Sequence, residues 1–211
     1  MSFDVNVRKA LGGSLIEARF TAPGGLTLLW GPSGVGKTTI LNMMAGLLRP
    51  DQGRVRIGGQ TLFDASGGVD LPVHRRRLGY VFQDGRLFPH LRVRSNLLYG
   101  YRLAQPQDRW MTLEEVVDFL GIAPLLDRWP RTLSGGEAQR VAIGRALLSG
   151  ARALLMDEPL ASIDPARRSG IIDVILRIRD ELALPILYVT HDPGEADRLA
   201  TQRVEITPSC R

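Results

Sequence analysis

Cysteine is almost absent from this chain, which has a single one, Cys210, among 211 residues. The chain therefore cannot form an internal disulfide or a metal site built from several cysteines, which fits a reducing compartment. Long apolar runs are also missing, so no stretch of about 18 residues predicts a membrane-spanning helix. The first residues include Asp4 and lack the apolar core of a signal peptide, so export is not expected. With 44% hydrophobic residues, we expect one large soluble domain.

Lysine is also rare in this chain: of the 27 basic residues, only Lys9 and Lys37 are lysines. The net charge of +5 suits nucleic acid, an anionic membrane surface or phosphate ligands. Arginines solvated on helix faces explain most of that charge, and the densest cluster, residues 75–77, is too short to predict DNA binding. Lys37 stands out because a phosphate-binding loop requires a compact point charge rather than the planar fork of an arginine.

Lys37 lies in a segment with the spacing G-x-x-x-x-G-K-[ST]. The apolar run Leu26–Trp30 before it predicts a buried strand, and the spacing of residues 39–48 after it predicts a helix. In that setting backbone N–H groups converge on an anion, and the helix N-terminus adds about half a positive charge. We predict that Lys37 reaches the β- and γ-phosphates of ATP and that the Thr38 hydroxyl holds Mg²⁺. The predicted nucleotide-binding residues here are Gly31, Pro32, Ser33, Gly34, Val35, Gly36, Lys37, Thr38 and Thr39.

Two adjacent carboxylates, Asp157 and Glu158, follow the apolar run Ala153–Met156. Ligands of parallel α/β sheets bind at the carboxyl ends of the strands, where this pair is expected. We predict that Asp157 holds Mg²⁺ through water and that Glu158 orients and deprotonates an attacking water. The plainer alternative for an Asp-Glu pair is a solvated loop.

Gln83 and His191 end two further predicted strands, residues 78–83 and 186–190. We predict that the Gln83 amide contacts the metal or the water, although a strand-terminal glutamine is usually only a surface residue. His191 is predicted to hydrogen-bond the γ-phosphate and steady the water. Asp192 and Pro193 then predict the start of a helix.

Two glycines open the helix that follows Ser134. The spacing of Ser134 and Glu137 predicts a capping box, so a well-capped helix is the plainer interpretation. A helix built only for stability would not place two glycines there, because each costs about 1 kcal/mol relative to alanine. Bare glycines allow an anion to approach the helix N-terminus. The predicted contacts are Ser134, Gly135, Gly136 and Glu137.

The pattern along the chain predicts an α/β fold in three parts. Short alternating strands in residues 1–30 and 54–64 predict an N-terminal antiparallel β-subdomain. Residues 85–149 have helical spacing and predict an inserted helical subdomain. Apolar strands separated by helices in the core, residues 1–84 and 150–211, predict a mainly parallel sheet covered on both faces. Together with the phosphate loop, this arrangement resembles the RecA-like sheet of phosphate-loop (P-loop) NTPases. We therefore expect residues 1–211 to form a single nucleotide-binding domain.

These motifs together resemble the nucleotide-binding subunits of ATP-binding cassette (ABC) transporters over nearly the whole chain. Residues 133–137 match the signature motif, which other P-loop ATPases lack, and residues 161–164 match the loop after the second acidic motif. The resemblance implies an ATPase that uses ATP and Mg²⁺, with Glu158 as base, Lys37 and Mg²⁺ stabilising charge, and Gln83 and His191 assisting.

The same resemblance implies an ATP-dependent head-to-tail homodimer. Each ATP would be bound by one copy's phosphate loop and capped by Ser134 and Gly136 of the other, and Asp164 would connect the two sites. It further implies integral-membrane permease subunits, indirectly a periplasmic or lipid-anchored solute-binding protein, and a cytoplasmic position on the inner face of the cell membrane.

Within the family, residues 82–90 are similar to importers, particularly to ATPases of molybdate uptake systems, as are residues 125–128 and 156–162. A subunit of a molybdate or related oxyanion importer is therefore expected, with an importer of a different solute as the alternative. Phe88 and Leu91 are candidates for apolar contacts with the permease, with packing inside the helical subdomain as the alternative.

Two departures from the family pattern carry expectations. Residues 8–13 contain no aromatic to stack on adenine, so we expect weak base selectivity. The chain stops soon after residues 204–206, so no C-terminal regulatory domain is expected.

Two other functions fit less well. A soluble ABC ATPase acting on nucleic acid is favoured only by the basic pI, so no nucleic-acid partner is expected. A small P-loop kinase is disfavoured by residues 133–137.

Overall fold

The structure is a computed structural model that describes residues 2–207, except for the side chain of Ala166. Cys210 lies outside the described residues. The strands are β1 Phe3–Leu11, β2 Ser14–Ala22, β3 Leu26–Trp30, β4 Gln52–Ile57, β5 Gln60–Asp64, β6 Val69–Asp70, β7 Leu78–Val81, β8 Ala153–Asp157, β9 Ile186–Val189 and β10 Gln202–Glu205. The helices are α1 Lys37–Ala45, α2 Val73–Arg76, α3 Val93–Leu103, α4 Leu113–Leu120, α5 Gly135–Leu148, α6 Pro165–Asp180 and α7 Pro193–Leu199.

The strands form two sheets of five, which confirms the predicted α/β class. The antiparallel sheet has the order β2-β1-β4-β5-β6, and the parallel sheet has the order β10-β3-β9-β8-β7. Helices α3, α4 and α5 come between β7 and β8 in the chain. The two sheets and the intervening helices correspond to the three predicted parts, while the boundaries assigned to the subdomains stay a prediction.

The parallel sheet is buried on both faces, which explains why its strands are continuously apolar. On β8, Leu154 and Met156 pack into a core shared with α3–α7. The alternate residues Ala153 and Leu155 pack into a second core with α1 and the antiparallel sheet. Because side chains alternate along a strand, one five-residue run serves both cores.

Helix α1 begins at Lys37, two residues before the predicted start, and ends at Ala45, earlier than predicted. Its end is set by Gly46, which adopts φ 82° and is followed by a bond from Leu47 N to Asn42 O of 2.9 Å. A glycine in the left-handed conformation after the last helical residue is a common helix stop. The predicted helix was too long at this end because apolar residues continue to Leu48 with helical spacing, beyond the observed end of α1.

None of the helices among residues 2–207 is long and apolar enough to cross a membrane.

Candidate functional site

The predicted phosphate loop connects β3 to α1. Lys37 is only 6% exposed, and its Nζ donates hydrogen bonds to Gly31 O at 2.8 Å and Pro32 O at 2.9 Å. A Cβ on Gly36 would lie 2.7 Å from Ile16 Cγ2, and Gly36 adopts φ 103°. The loop thus needs glycine at this position both for its conformation and for its close packing on β2. The Lys37 ammonium thus bonds to two carbonyls of its own loop.

Thr38 and Asp157 meet at the carboxyl edge of the parallel sheet. Thr38 Oγ1 donates to Asp157 Oδ1 at 3.0 Å. Asp157 is 8% exposed, and burial raises the pKa of its carboxyl, although the Thr38 hydroxyl bond acts in the opposite direction. A hydroxyl and a carboxylate are hard oxygen ligands of the kind that Mg²⁺ prefers. The structure thus brings together these two of the three predicted metal residues, and they fit the ion.

Tyr80 on β7 also reaches this cluster, which the sequence did not indicate. Its hydroxyl lies 3.1 Å from Asn42 Oδ1 and 3.5 Å from Asp157 Oδ2. Burial, with Asp157 nearby, raises the pKa of Tyr80, so the phenol stays a hydrogen-bond donor. The parallel pairing of β7 with β8 places Tyr80 opposite Leu155. The sequence signal that could have revealed this contact is a tyrosine within the apolar strand β7, whose neighbour β8 ends in an acidic residue.

Glu158 and His191 form a contact across the ends of β8 and β9. His191 Nδ1 lies 3.0 Å from Glu158 Oε2. The histidine side chain is 62% exposed and that of Glu158 is 27% exposed. The two predicted catalytic side chains are therefore adjacent, with one face open to solvent. A carboxylate held by an imidazole at a strand end is a suitable proton acceptor for a water molecule.

Gln83 does not end a strand, so that part of the prediction is wrong. Strand β7 ends at Val81, and Gln83 occupies a turn with an exposed side chain. The turn forms because Gly85 N donates to Phe82 O at 3.0 Å, and the Phe82 ring stacks on Tyr80 at 4.1 Å. The contact of Gln83 with a metal ion or water stays a prediction.

The capping box predicted before α5 is present. Glu137 N donates to Ser134 Oγ at 3.3 Å, and Ser134 N donates to Glu137 Oε2 at 2.7 Å. The bond from Ser134 N lowers the pKa of the Glu137 carboxyl. Among the described residues, a Cβ added to Gly136 would meet no atom within 4 Å, so their packing does not require a glycine there. Its role as a surface for an anion or a second molecule stays a prediction.

The permease-contact candidates lie at the start of the helical region. Phe88 is half-buried, and its ring centroid is 4.5 Å from that of Tyr99. The buried Asn96 side chain accepts from Phe88 N at 2.8 Å and donates to Leu91 O at 2.9 Å. Both candidates are therefore held on one ordered loop, and the 48% exposed Tyr99 extends the apolar surface next to Phe88.

Comparison with known proteins gives consistent matches over most of the chain. A family model described as ABC transporter matches residues 19–161. The Molybdenum import ATP-binding protein ModC of Mesorhizobium japonicum is 53% identical over 204 residues, which cover 97% of this chain and 55% of that protein. The protein of the same name from Brucella melitensis is 55% identical over 200 residues, covering 95% and 55%. The chain thus spans about half the length of the curated relatives it matches.

Solved structures also match the fold. A dimeric structure of MJ0796, described as a bacterial ABC transporter cassette, has a TM-score of 0.75 and 25% identity. The match covers 97% of this chain and 93% of that one. A post-hydrolysis dimeric structure of the same cassette, bound to ADP and Pi, has the same TM-score at 24% identity.

Proposed function

Since this chain belongs to the ABC transporter family, we propose that it is the ATP-hydrolysing motor subunit of an importer for molybdate or a related oxyanion. The observation that carries the ATP-hydrolysing part of this proposal is the convergence of Lys37, the Thr38–Asp157 pair and the Glu158–His191 pair at the ends of neighbouring strands. These strands, β3, β9 and β8, are adjacent in the parallel sheet.

Nucleotide binding begins at the phosphate loop. The triphosphate would replace the carbonyls of Gly31 and Pro32 as the partner of Lys37, so the ammonium exchanges neutral acceptors for anionic ones. Thr38 and Asp157 would hold Mg²⁺, with Gln83 as a further ligand. The ion when bound supplies positive charge that offsets the charge of the phosphate oxygens. Backbone N–H groups of residues 31–39 would surround the phosphates.

Hydrolysis is assigned to Glu158 and His191. Glu158 takes a proton from a water whose oxygen attacks the γ-phosphorus in line, and the bond to the β–γ bridging oxygen breaks to release ADP. His191 fixes the Glu158 carboxylate through its Nδ1 contact and leaves its other ring nitrogen for the γ-phosphate. Lys37 stabilises the charge that develops on the transferred group.

The second half of each site would come from another copy of the chain. Ser134 and Gly136 would cap the ATP held by the partner copy, and Asp164 would connect the two sites. This proposal is supported by the open space at Gly136 and by the dimeric form of the MJ0796 cassette. Closing and opening of the pair would be the work stroke.

The assignment of the transported solute and of the membrane partners depends on the similar proteins. Those at 53% and 55% identity are named molybdenum import ATP-binding proteins. We therefore assign this chain to the cytoplasmic face of the membrane, with the surface of Phe88, Leu91 and Tyr99 against permease subunits that receive the oxyanion from a solute-binding protein.

The test is ATP-driven uptake by the chain assembled with its permease in vesicles that are loaded with ATP and Mg²⁺. We expect uptake of molybdate, complete loss of uptake and turnover in Glu158→Gln, and loss of both nucleotide affinity and turnover in Lys37→Ala. Normal ATP turnover by Glu158→Gln would refute the assigned base. Uptake of another solute but not of molybdate would refute the assignment of molybdate as the solute, while the assigned role as ATP-hydrolysing motor would remain.

A further inference from the structure

Arg168, the fourth residue of α6, joins two segments that flank the Glu158–His191 pair. Its Nε donates to Ile163 O at 3.0 Å, and its Nη1 donates to Asp192 Oδ2 at 3.1 Å. Nη1 also lies 3.7 Å from Glu195 Oε1. The side chain is 26% exposed. One guanidinium thus bonds to the segment after Glu158 and to the residue after His191.

The acceptors of Arg168 are themselves fixed. Asp192 uses its other oxygen, Oδ1, to accept from Gly194 N at 2.8 Å and Glu195 N at 3.3 Å, which caps α7. Glu195 is only 5% exposed, and its Oε2 accepts from Tyr188 on β9 at 2.9 Å. The carboxylates of Asp192 and Glu195 are therefore fixed by their own hydrogen bonds and provide rigid acceptors for the Arg168 guanidinium.

The Ile163 side of the contact leads back to Glu158. Ala161 N donates to Glu158 O at 3.1 Å, and Ile163 N donates to Leu160 O at 3.1 Å. These two turns connect the carbonyl that accepts from Arg168 to the backbone of the predicted base. A small cavity of about 50 Å³ lies between the two sides, and Glu158, His191 and Arg168 are all among the residues that line it.

We propose that Arg168 is a positioning residue for ATP hydrolysis, which rests on the proposed function. Because Arg168 bonds to Ile163 on one side and to Asp192 on the other, it sets the distance between segments 158–163 and 190–195. That distance in turn sets the geometry of the Glu158–His191 pair. Arg168 acts through Glu158 and His191 and does not touch the nucleotide. Its planar fork supplies diverging donors to a carbonyl and a carboxylate, which the single ammonium of a lysine cannot reproduce.

The test compares Arg168→Lys and Arg168→Gln with Arg198→Gln, using the full chain. Arg198 on α7 pairs with Asp173 on α6 at 3.6 Å, and both side chains are more than half exposed. This control breaks another ion pair between the same two helices without touching residues 158–163 or Asp192. We expect kcat for ATP to fall at least tenfold in both Arg168 variants, since small misplacements of reacting groups are costly. The KM for ATP and the unfolding midpoint should stay near wild type, and Arg198→Gln should behave as wild type.

A second variant separates positioning from helix capping. Asp192→Ser keeps a good N-cap for α7 but removes the carboxylate that Arg168 contacts. We expect the same kcat loss as in Arg168→Gln, with no further loss in the double variant, because both changes break one linkage. Additive losses, a loss that follows the unfolding midpoint or the KM, or full activity of Arg168→Lys would each overturn the inference. Absence of ATPase activity in the wild-type chain would overturn the proposed function itself.

Discussion

Glu158 is held in a backbone conformation that its residue type rarely adopts. Its φ is 45°, and a non-glycine residue in the left-handed region costs about 1–2 kcal/mol. The bond from Glu158 N to Val189 O at 3.0 Å and the contact with His191 compensate for that cost. In this conformation, at the residue after β8, Glu158 Oε2 lies 3.0 Å from His191 Nδ1. Sequence spacing predicted the residue but not this geometry.

Asp157 differs from Glu158 in being buried, and its charge is expected to destabilise the nucleotide-free protein. Burial raises the pKa of Asp157 above its ordinary value of 3.8, so the folded chain releases this proton at higher pH than the unfolded chain does. We expect Asp157→Asn, measured without nucleotide or Mg²⁺, to unfold at a higher temperature than wild type at neutral pH.

The pH dependence of that difference has a defined sign. The two proteins should match in acid, where Asp157 is protonated in both states, and the advantage of Asp157→Asn should grow as the pH rises above about 4 and level off above the raised pKa of the folded protein. Differential scanning calorimetry across this range provides the measurement. A wild type that is more stable than the variant at neutral pH would contradict the assignment.

Three consecutive arginines, residues 75–77, have different environments that the sequence did not predict. Residues 75–77 were treated as one basic cluster, yet Arg76 is 1% exposed and Arg77 contacts Asp108 at 2.7 Å. Arg75 alone is exposed. Identical side chains in a row carry no periodic signal, so only the tertiary structure separates their roles.

Helix α1 is the element on which the phosphate loop depends, and Arg76 holds its far end. Arg76 Nη1 donates to Met43 O at 3.0 Å and Met44 O at 2.9 Å. Its Nη2 donates to Asp70 Oδ1 at 2.8 Å. Carbonyls near a helix C-terminus lack intrahelical donors, and Arg76 supplies one to Met44 O and a second one to Met43 O, which also accepts from Gly46 N at 3.3 Å. The guanidinium also places positive charge where the helix dipole favours it.

Removal of this buried guanidinium should destabilise the fold. Arg76→Met keeps the apolar stem but leaves the carbonyls of Met43 and Met44 without their buried donor. We expect a loss of roughly 3 kcal/mol in the free energy of unfolding, measured by urea denaturation. The matched control is Arg75→Met, which changes the exposed neighbour and should shift stability by less than about 0.5 kcal/mol. Equal effects of the two substitutions would show that Arg76 has no special role.

Elements with a strong apolar period were predicted best. Strand Leu26–Trp30 has the predicted bounds, and the apolar run Ala153–Met156 lies within β8, Ala153–Asp157. Helix α6 begins at Pro165, and this start was not predicted because the first turns of the helix are polar and lack an apolar stripe. Proline at a first helical position was the signal that was missed. The end of β7 was missed because a run of apolar residues does not show where the chain leaves the sheet.

At the scale of the whole molecule, the motifs identify the chemistry, while the sheet order explains how they meet. Residues 31–38, 157–158 and 191 are far apart in sequence, and the order β3-β9-β8 brings their strand ends to one edge. A single copy places the phosphate loop, the proposed metal ligands and the proposed base at that edge. The N-terminus of α5 is the part assigned to the site of a partner copy, since packing among residues 2–207 does not require a glycine at position 136.

The most direct test of this shared site is the mass of Glu158→Gln protein in solution with saturating ATP and Mg²⁺, measured by light scattering after gel filtration. The account predicts a dimer that retains ATP, and a monomer when Ser134→Arg is added to block the capping surface. Protein that stays monomeric with bound ATP in the Glu158→Gln background would contradict a site completed by a second copy.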